Sequence, residues 1–209
     1  MVIHFAWIET VIRVIGGLLA YLTLVILVTS VWRGTRRQAG RTTGRSAAWL
    51  RSGWFYLIAS ALFFGLSYLG WIRLPLAISP STRGWMLAAG ALLYFPGILF
   101  LLWGRLSLGK NYFVSTALGA QLFAGHQLVT KGPYAIVRHP MYAGLILASF
   151  GSLLIYLTWT SLLYAFFSPL ITIRAWREEA ALAEEFGGQW KEYCKQVPAF
   201  LPRLRRKNW

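Results

Sequence analysis

The chain is most informative in what it lacks. Its 209 residues contain no aspartate, one cysteine, three histidines and six acidic side chains in all. Without aspartate, no mechanism that needs an Asp ligand, base or nucleophile is open. A lone thiol, Cys194, excludes an internal disulfide and a multi-cysteine metal site. His4, His126 and His139 are too few for a histidine-rich metal centre, so no metal is expected. Charge is scarce too, at 13% against the roughly 25% of an ordinary soluble domain. Hydrophobic residues make up 57%, and the mean hydropathy is +0.53. This excludes a fully soluble globule and leaves an all-α integral membrane protein.

A bilayer core asks for roughly 20 apolar residues per helix. Residues 14–32, 53–72 and 84–104 are uncharged and each long enough to cross once. The uncharged run 140–173 is too long for one helix and suits two short ones, turning near Leu157-Thr158-Trp159-Thr160. The expectation is five transmembrane helices, the last two forming a hairpin, followed by a cytoplasmic C-terminal helical segment. Residues 1–104 then hold three N-terminal spans with a basic linker at 33–52. Residues 105–209 form the chemical half, with loop 121–142, hairpin 140–173, and helix and tail 174–209. No strand alternation or internal repeat competes. Pro96 and Pro169 fall inside the spans, where they read as packing kinks.

The 21 Lys and Arg give a formal charge of +15. Of these, 18 fall on one side of the five-span arrangement, with only Arg73 and Arg83 opposite and Arg13 entering the first span. Basic loops stay cytoplasmic, so the N-terminus is expected outside and the C-terminus in the cytoplasm. The first apolar segment, which carries Glu9 and Arg13 and has no small-x-small site, does not read as a cleavable signal. The arginines of 33–52 fix topology and suit anionic lipid headgroups. Charge spread over three membrane-flanking loops does not suit nucleic acid.

Five of the six acids lie between Glu178 and Glu192. The hairpin brings this stretch to the same membrane face as residues 126–142, and that convergence locates the candidate site. Gly132-Pro133 marks a turn, and Pro140 suits the first turn of a helix while disfavouring helical backbone at His139. Arg138, His139 and free backbone donors therefore stand at a helix N-terminus, a seat for a carboxylate or phosphate. Arg174 and Glu178, four apart, share one helical face. Glu178 and Glu179 follow directly on a span, where charge is costly unless used. Gly187-Gly188 should end that helix. Glu184, Glu185, Lys191 and Glu192 read as a solvated face, and Cys194 as a passive thiol.

Taken in order, Leu-Val-Thr-Lys-Gly-Pro-Tyr (128–134), Arg-His-Pro-Met-Tyr-Ala-Gly (138–144), a hydrophobic hairpin, Glu178-Glu179, Phe186-Gly187 and Tyr193 before Val197-Pro198 resemble the isoprenylcysteine carboxyl methyltransferases and related phospholipid methyltransferases. The resemblance covers about 105–202. It implies S-adenosylmethionine as cofactor, with contacts from His126, Gln127, Leu128, Val129, Tyr134, His139, Pro140, Met141, Tyr142 and Glu178. Glu179 joins that set, and Gln121 is the candidate for an upstream cofactor glutamine, on a shorter spacing than the family's. Arg174 matches the arginine that holds the substrate carboxylate and, with Arg138, is a candidate catalytic residue. The implied partner is a lipophilic methyl acceptor. A carboxylate acceptor is ionised at pH 7 and asks only for in-line positioning and an arginine fork. An amine must first lose a proton, with Glu178 or Glu179 assisting. Three other readings stay open: phospholipid amine N-methylation, an NADPH-dependent sterol-type reductase with a similar Arg-His-Pro-x-Tyr stretch, and a non-enzymatic scaffold or carrier. Acids beside the phosphates of NADPH speak against the reductase.

Overall fold

A computed structural model of the chain describes residues 2–35, 53–112 and 127–203. The candidate residues Gln121 and His126, and most of the linker 33–52, lie outside the described residues. Helix α1 is Val2–Thr35, α2 is Gly53–Leu69 and α3 is Pro80–Leu108. Then come α4, Pro140–Tyr156; α5, Trp159–Phe167; α6, Ile171–Phe186; and α7, Gly188–Gln196. Every named element among the described residues is helical.

Among the described residues, two stretches are long and apolar enough to cross a bilayer unaided, Ala6–Arg33 and Pro80–Asn111. Shorter apolar helices lie at Leu57–Leu69 and Pro140–Tyr156. Large apolar side chains stand exposed along α1 and α2, among them Leu18, Leu22, Leu57, Ile58 and Leu62. Water tolerates no continuous apolar patch on this scale, so this is the surface of a membrane protein. Inside α1, Thr10, Thr23 and Thr29 donate to the carbonyls of Ala6, Leu19 and Val25, at 2.9, 2.7 and 2.7 Å. Hydroxyls in hydrocarbon thus find partners within their own helix.

The core is the pairing of α3 with α4. A Cβ placed on Gly144 would lie 2.5 Å from the Gly97 carbonyl oxygen, and one on Gly97 would lie 2.6 Å from the Ala148 nitrogen. No other residue fits there, and the two backbones touch. Without a hydrophobic drive between helices in lipid, such close approach is what holds them. Leu87, Tyr94, Ile98, Ala148 and Ile155 fill the seam on either side.

Helix α1 lies parallel to α3 and in register with it. At one end Glu9 accepts from Arg83 Nη2 at 2.8 Å; further along, Tyr94 donates its hydroxyl to the Gly16 carbonyl at 2.8 Å. Arg83 also donates to the Leu154 and Ile155 carbonyls, at 2.7 and 2.6 Å. Those carbonyls belong to the last turn of α4, where a cation suits the helix dipole. One guanidinium therefore ties three helices together.

The reversal after α4 is local. Leu157 takes a left-handed conformation at φ 51°, and Thr158 caps α5 in a capping box with Ser161. Segment 70–79 braces it from outside: Leu74 N–H reaches the Leu157 carbonyl at 2.8 Å, and Trp159 N–H the Ile72 carbonyl at 3.0 Å. The uncharged run leads one to expect a single helix from this turn to residue 173. Instead α5 ends at Phe167, and Ser168–Leu170 form a 3-10 turn with Pro169, which has no N–H to donate. Gly187, at φ 49°, stops α6.

Candidate functional site

The site forms where the N-terminus of α4 meets the middle of α6 and the segment after α7. Pro140 opens α4, leaving His139 with non-helical backbone at φ −122°, ψ 59°. This turns Arg138 and His139 away from the helix axis towards α6. Arg138 N–H donates to the Pro198 carbonyl at 2.8 Å, and His139 N–H to the Ala199 carbonyl at 3.0 Å. Segment 197–200 thus runs as a strap along the loop.

Glu179 sits at the centre of the brace. Its Oε1 accepts from Arg138 Nε at 3.0 Å and Nη2 at 2.8 Å, and lies 2.9 Å from His139 Nε2. Burial raises its pKa, but the hydrogen bonds and charges of His139 and Arg138 outweigh that and hold it below the ordinary glutamate value. The carboxylate is therefore ionised at neutral pH. Arg138 Nη1 donates to the Val197 carbonyl at 2.7 Å. With these partners Arg138 and Glu179 hold the loop to the strap. The His139 ring is stacked between Tyr142, 5.6 Å centroid to centroid, and Phe200, 5.2 Å.

Glu178, the neighbouring residue, has different company. It accepts the Tyr142 hydroxyl hydrogen and lies 3.6 Å from Arg174 Nε. The Arg174 guanidinium stands 6.0 Å from the centre of the Tyr142 ring. Their side chains remain partly exposed, 33% for Arg174 and 19% for Glu178. A cation and an anion are thus presented side by side on adjacent turns of α6.

The remaining described candidates sit in segment 127–135 and at the start of α4. Pro133 and Tyr134 are buried in the 3-10 turn Gly132–Ala135. Burial, followed by the nearby Glu178 charge, drives the Tyr134 phenol well above its ordinary pKa, so it serves as a neutral wall. The Tyr193 hydroxyl donates to the Tyr134 carbonyl at 2.6 Å. Leu128 packs on a cluster of Trp190, Tyr193 and Val197, and Val129 is half-buried beside it. Gln127 N–H reaches Asn111 Oδ1 at 3.3 Å. Met141 and Pro140 fill the space against Gly104 of α3. Burial raises the pKa of Cys194, as expected of a passive thiol.

Sequence reasoning missed Phe200, Trp190 and Asn111. Trp190 stands 5.9 Å from the Arg138 guanidinium. Phe200 had one sequence signal, an aromatic directly after Val-Pro-Ala. Asn111 had none.

A helical membrane protein with a compact polar site at one end of its bundle is the class so defined. Residues 85–189 match the sequence profile of the phospholipid methyltransferases, and the chain belongs to that family. The protein-S-isoprenylcysteine O-methyltransferase of Schizosaccharomyces pombe is 39% identical over 85 residues, 38% of this chain and 34% of that protein. The methanethiol S-methyltransferase of Pseudomonas deceptionensis is 40% identical over 74 residues, 35% of this chain and 28% of that one. The mouse Delta(14)-sterol reductase TM7SF2 is 39% identical over 79 residues, 35% and 18% respectively. The chain spans about a third or less of the length of these relatives.

Proposed function

We propose that the chain is a five-span membrane methyltransferase that uses S-adenosylmethionine and methylates the carboxylate of a lipophilic, isoprenylcysteine-like acceptor. Its N-terminus lies outside, and its C-terminus and site face the cytoplasm. Residues 1–104 anchor and shape the opening towards the bilayer, and 105–209 carry the chemistry.

The observation that carries this reading is the pairing of Glu178 with Arg174 on adjacent turns of α6, with Tyr142 fixing the carboxylate between them. S-adenosylmethionine supplies an electrophilic methyl group on a sulfonium cation. The donor set fits it: a carboxylate for the cation, main-chain groups of 127–134 for the amino-acid head, and aromatic faces around them. Glu178 attracts the cationic ligand. Arg174 offers an acceptor carboxylate two parallel hydrogen bonds and a countercharge beside the membrane. Such an acceptor is already ionised at neutral pH, so no side chain is asked to take a proton. Arg138, His139 and Glu179 act one step back, holding the loop that presents Tyr142.

A reductase using an anionic nicotinamide cofactor would have to bring its phosphates beside Glu178, which repels them. The test is calorimetry with S-adenosylmethionine and with NADPH, followed by labelled methyl transfer into a prenylated cysteine analogue and into phosphatidylethanolamine. Binding of NADPH alone would reject the methyltransferase reading. Methylation of the amine lipid alone would keep the methyltransferase and replace the acceptor.

A further inference from the structure

Between the matching ends of α1 and α3, on their surfaces near Ser30 and Arg105, lies a cavity of about 450 Å³. That is within the roughly 300–1,000 Å³ of small-ligand sites. Arg33 lines it from the last turn of α1, Arg105 from the last turn of α3, and Lys110 from the turn beyond. Ile26 and Leu106 form apolar wall, and among the described residues no acid contributes to the lining. The Arg105 guanidinium is held in place, 4.1 Å above the Tyr112 ring and donating to the Gly109 carbonyl at 3.4 Å.

We infer that this cavity holds the phosphate of an anionic phospholipid. The inference goes beyond methyl transfer and rests only on α1 and α3 crossing the membrane. Ala6–Arg33 and Pro80–Asn111 are the two membrane-length stretches among the described residues, and the cavity sits at their common end, where a helix that crosses a bilayer meets the headgroups. Three cations gathered there attract an anion through a medium of lowered dielectric. Ile26 and the exposed Leu106 offer apolar surface for the acyl chains beside the cations. Basic residues at helix C-termini also offset the helix dipole, but that needs no cavity and would not recruit Lys110, which follows the end of α3.

The test uses the full chain in detergent, with phosphatidylglycerol, phosphatidylcholine or inorganic phosphate added, read by native mass spectrometry and thermal shift. One saturable copy of phosphatidylglycerol should bind and raise Tm, with phosphatidylcholine much weaker. Arg33→Gln and Arg105→Gln should each weaken phosphatidylglycerol roughly tenfold, the loss of one charge-assisted contact. Arg33→Lys should restore part of it, and Lys191→Gln, which removes an exposed charge on α7, should change nothing. Should Arg105→Gln fail to fold, Arg33→Gln decides alone. Equal binding of phosphatidylcholine, or an equal loss in Lys191→Gln, would overturn the site. Full reproduction of the shift by inorganic phosphate would overturn the lipid as its source. None of these readouts depends on turnover.

Discussion

Tyr142 of α4 donates its hydroxyl hydrogen to Glu178 of α6, joining two residues 36 apart in sequence at the candidate site. The bond sets where the Glu178 carboxylate stands relative to Arg174.

Removing either partner should therefore be felt in cofactor binding. Glu178→Ala should weaken S-adenosylmethionine binding by about 1.5–3 kcal/mol, the usual worth of a hydrogen bond to a charged group. Tyr142→Phe should cost less, since the anion remains but loses its tether. Calorimetry on folded, detergent-solubilised variants reads both; unchanged affinity in the two would remove Glu178 from the cofactor site.

Arg174→Lys separates charge from geometry. The substitution keeps the cation and loses the planar fork. Turnover of a carboxylate acceptor should drop at least roughly tenfold, the worth of about one charge-assisted hydrogen bond, while S-adenosylmethionine affinity stays nearly constant. Full turnover in this variant would reject Arg174 as the carboxylate clamp.

Glu179 gives a pH signature. Its folded-state pKa is depressed, so its ionised form contributes stability that is fully present above the unfolded value, about 4.3 for glutamate. That contribution is lost as pH falls through the lower folded value. Thermal melts from neutral pH down into the acid range should show a decline that is shallower in Glu179→Gln, which starts from a lower Tm. Parallel curves for the two proteins would mean that Glu179 is not the group responsible.

The seam between α3 and α4 predicts a different sensitivity. Gly144→Ala places a methyl carbon against the Gly97 carbonyl, where only backbone could yield, and should destabilise by about 1–3 kcal/mol. Leu147→Ala, at an exposed position on the same helix, is the control and should melt close to the parent chain. Comparable melting losses in both would show that close backbone approach is not what holds the pair.

Reporter fusions check the topology. The asymmetry of basic residues predicts an external N-terminus, with the linker 33–52 and the C-terminus cytoplasmic. A cytoplasmic N-terminus would sink the five-span arrangement.

Much of this architecture is legible in local signals. Pro140 starts α4 and Gly187 ends α6, because each residue acts on its own backbone. The meeting of Tyr142 with Glu178 follows from the length of the apolar run between them and its turn. What escapes is pairing across distance. Glu9 and Arg83 are 74 residues apart, and nothing near either announces the other. The same holds for Arg138 and Val197, since the short run 197–202 has no periodicity to mark it as a strap. The break at 168–170 is hidden for another reason: in a uniformly apolar run, hydropathy does not report where a helix gives way to a 3-10 turn.

The strap also imposes an order of assembly. Val197 follows Arg138 by 59 residues, so the loop leaves the ribosome well before the segment that pins it. Between the two events α4, α5 and α6 must all be made and α6 brought back to the face where the loop waits. Insertion of the helices and completion of the site are therefore separate steps in biosynthesis. A chain stopped at residue 196 would have all its described helices and still lack the Val197, Pro198 and Ala199 carbonyls that accept from Arg138 and His139.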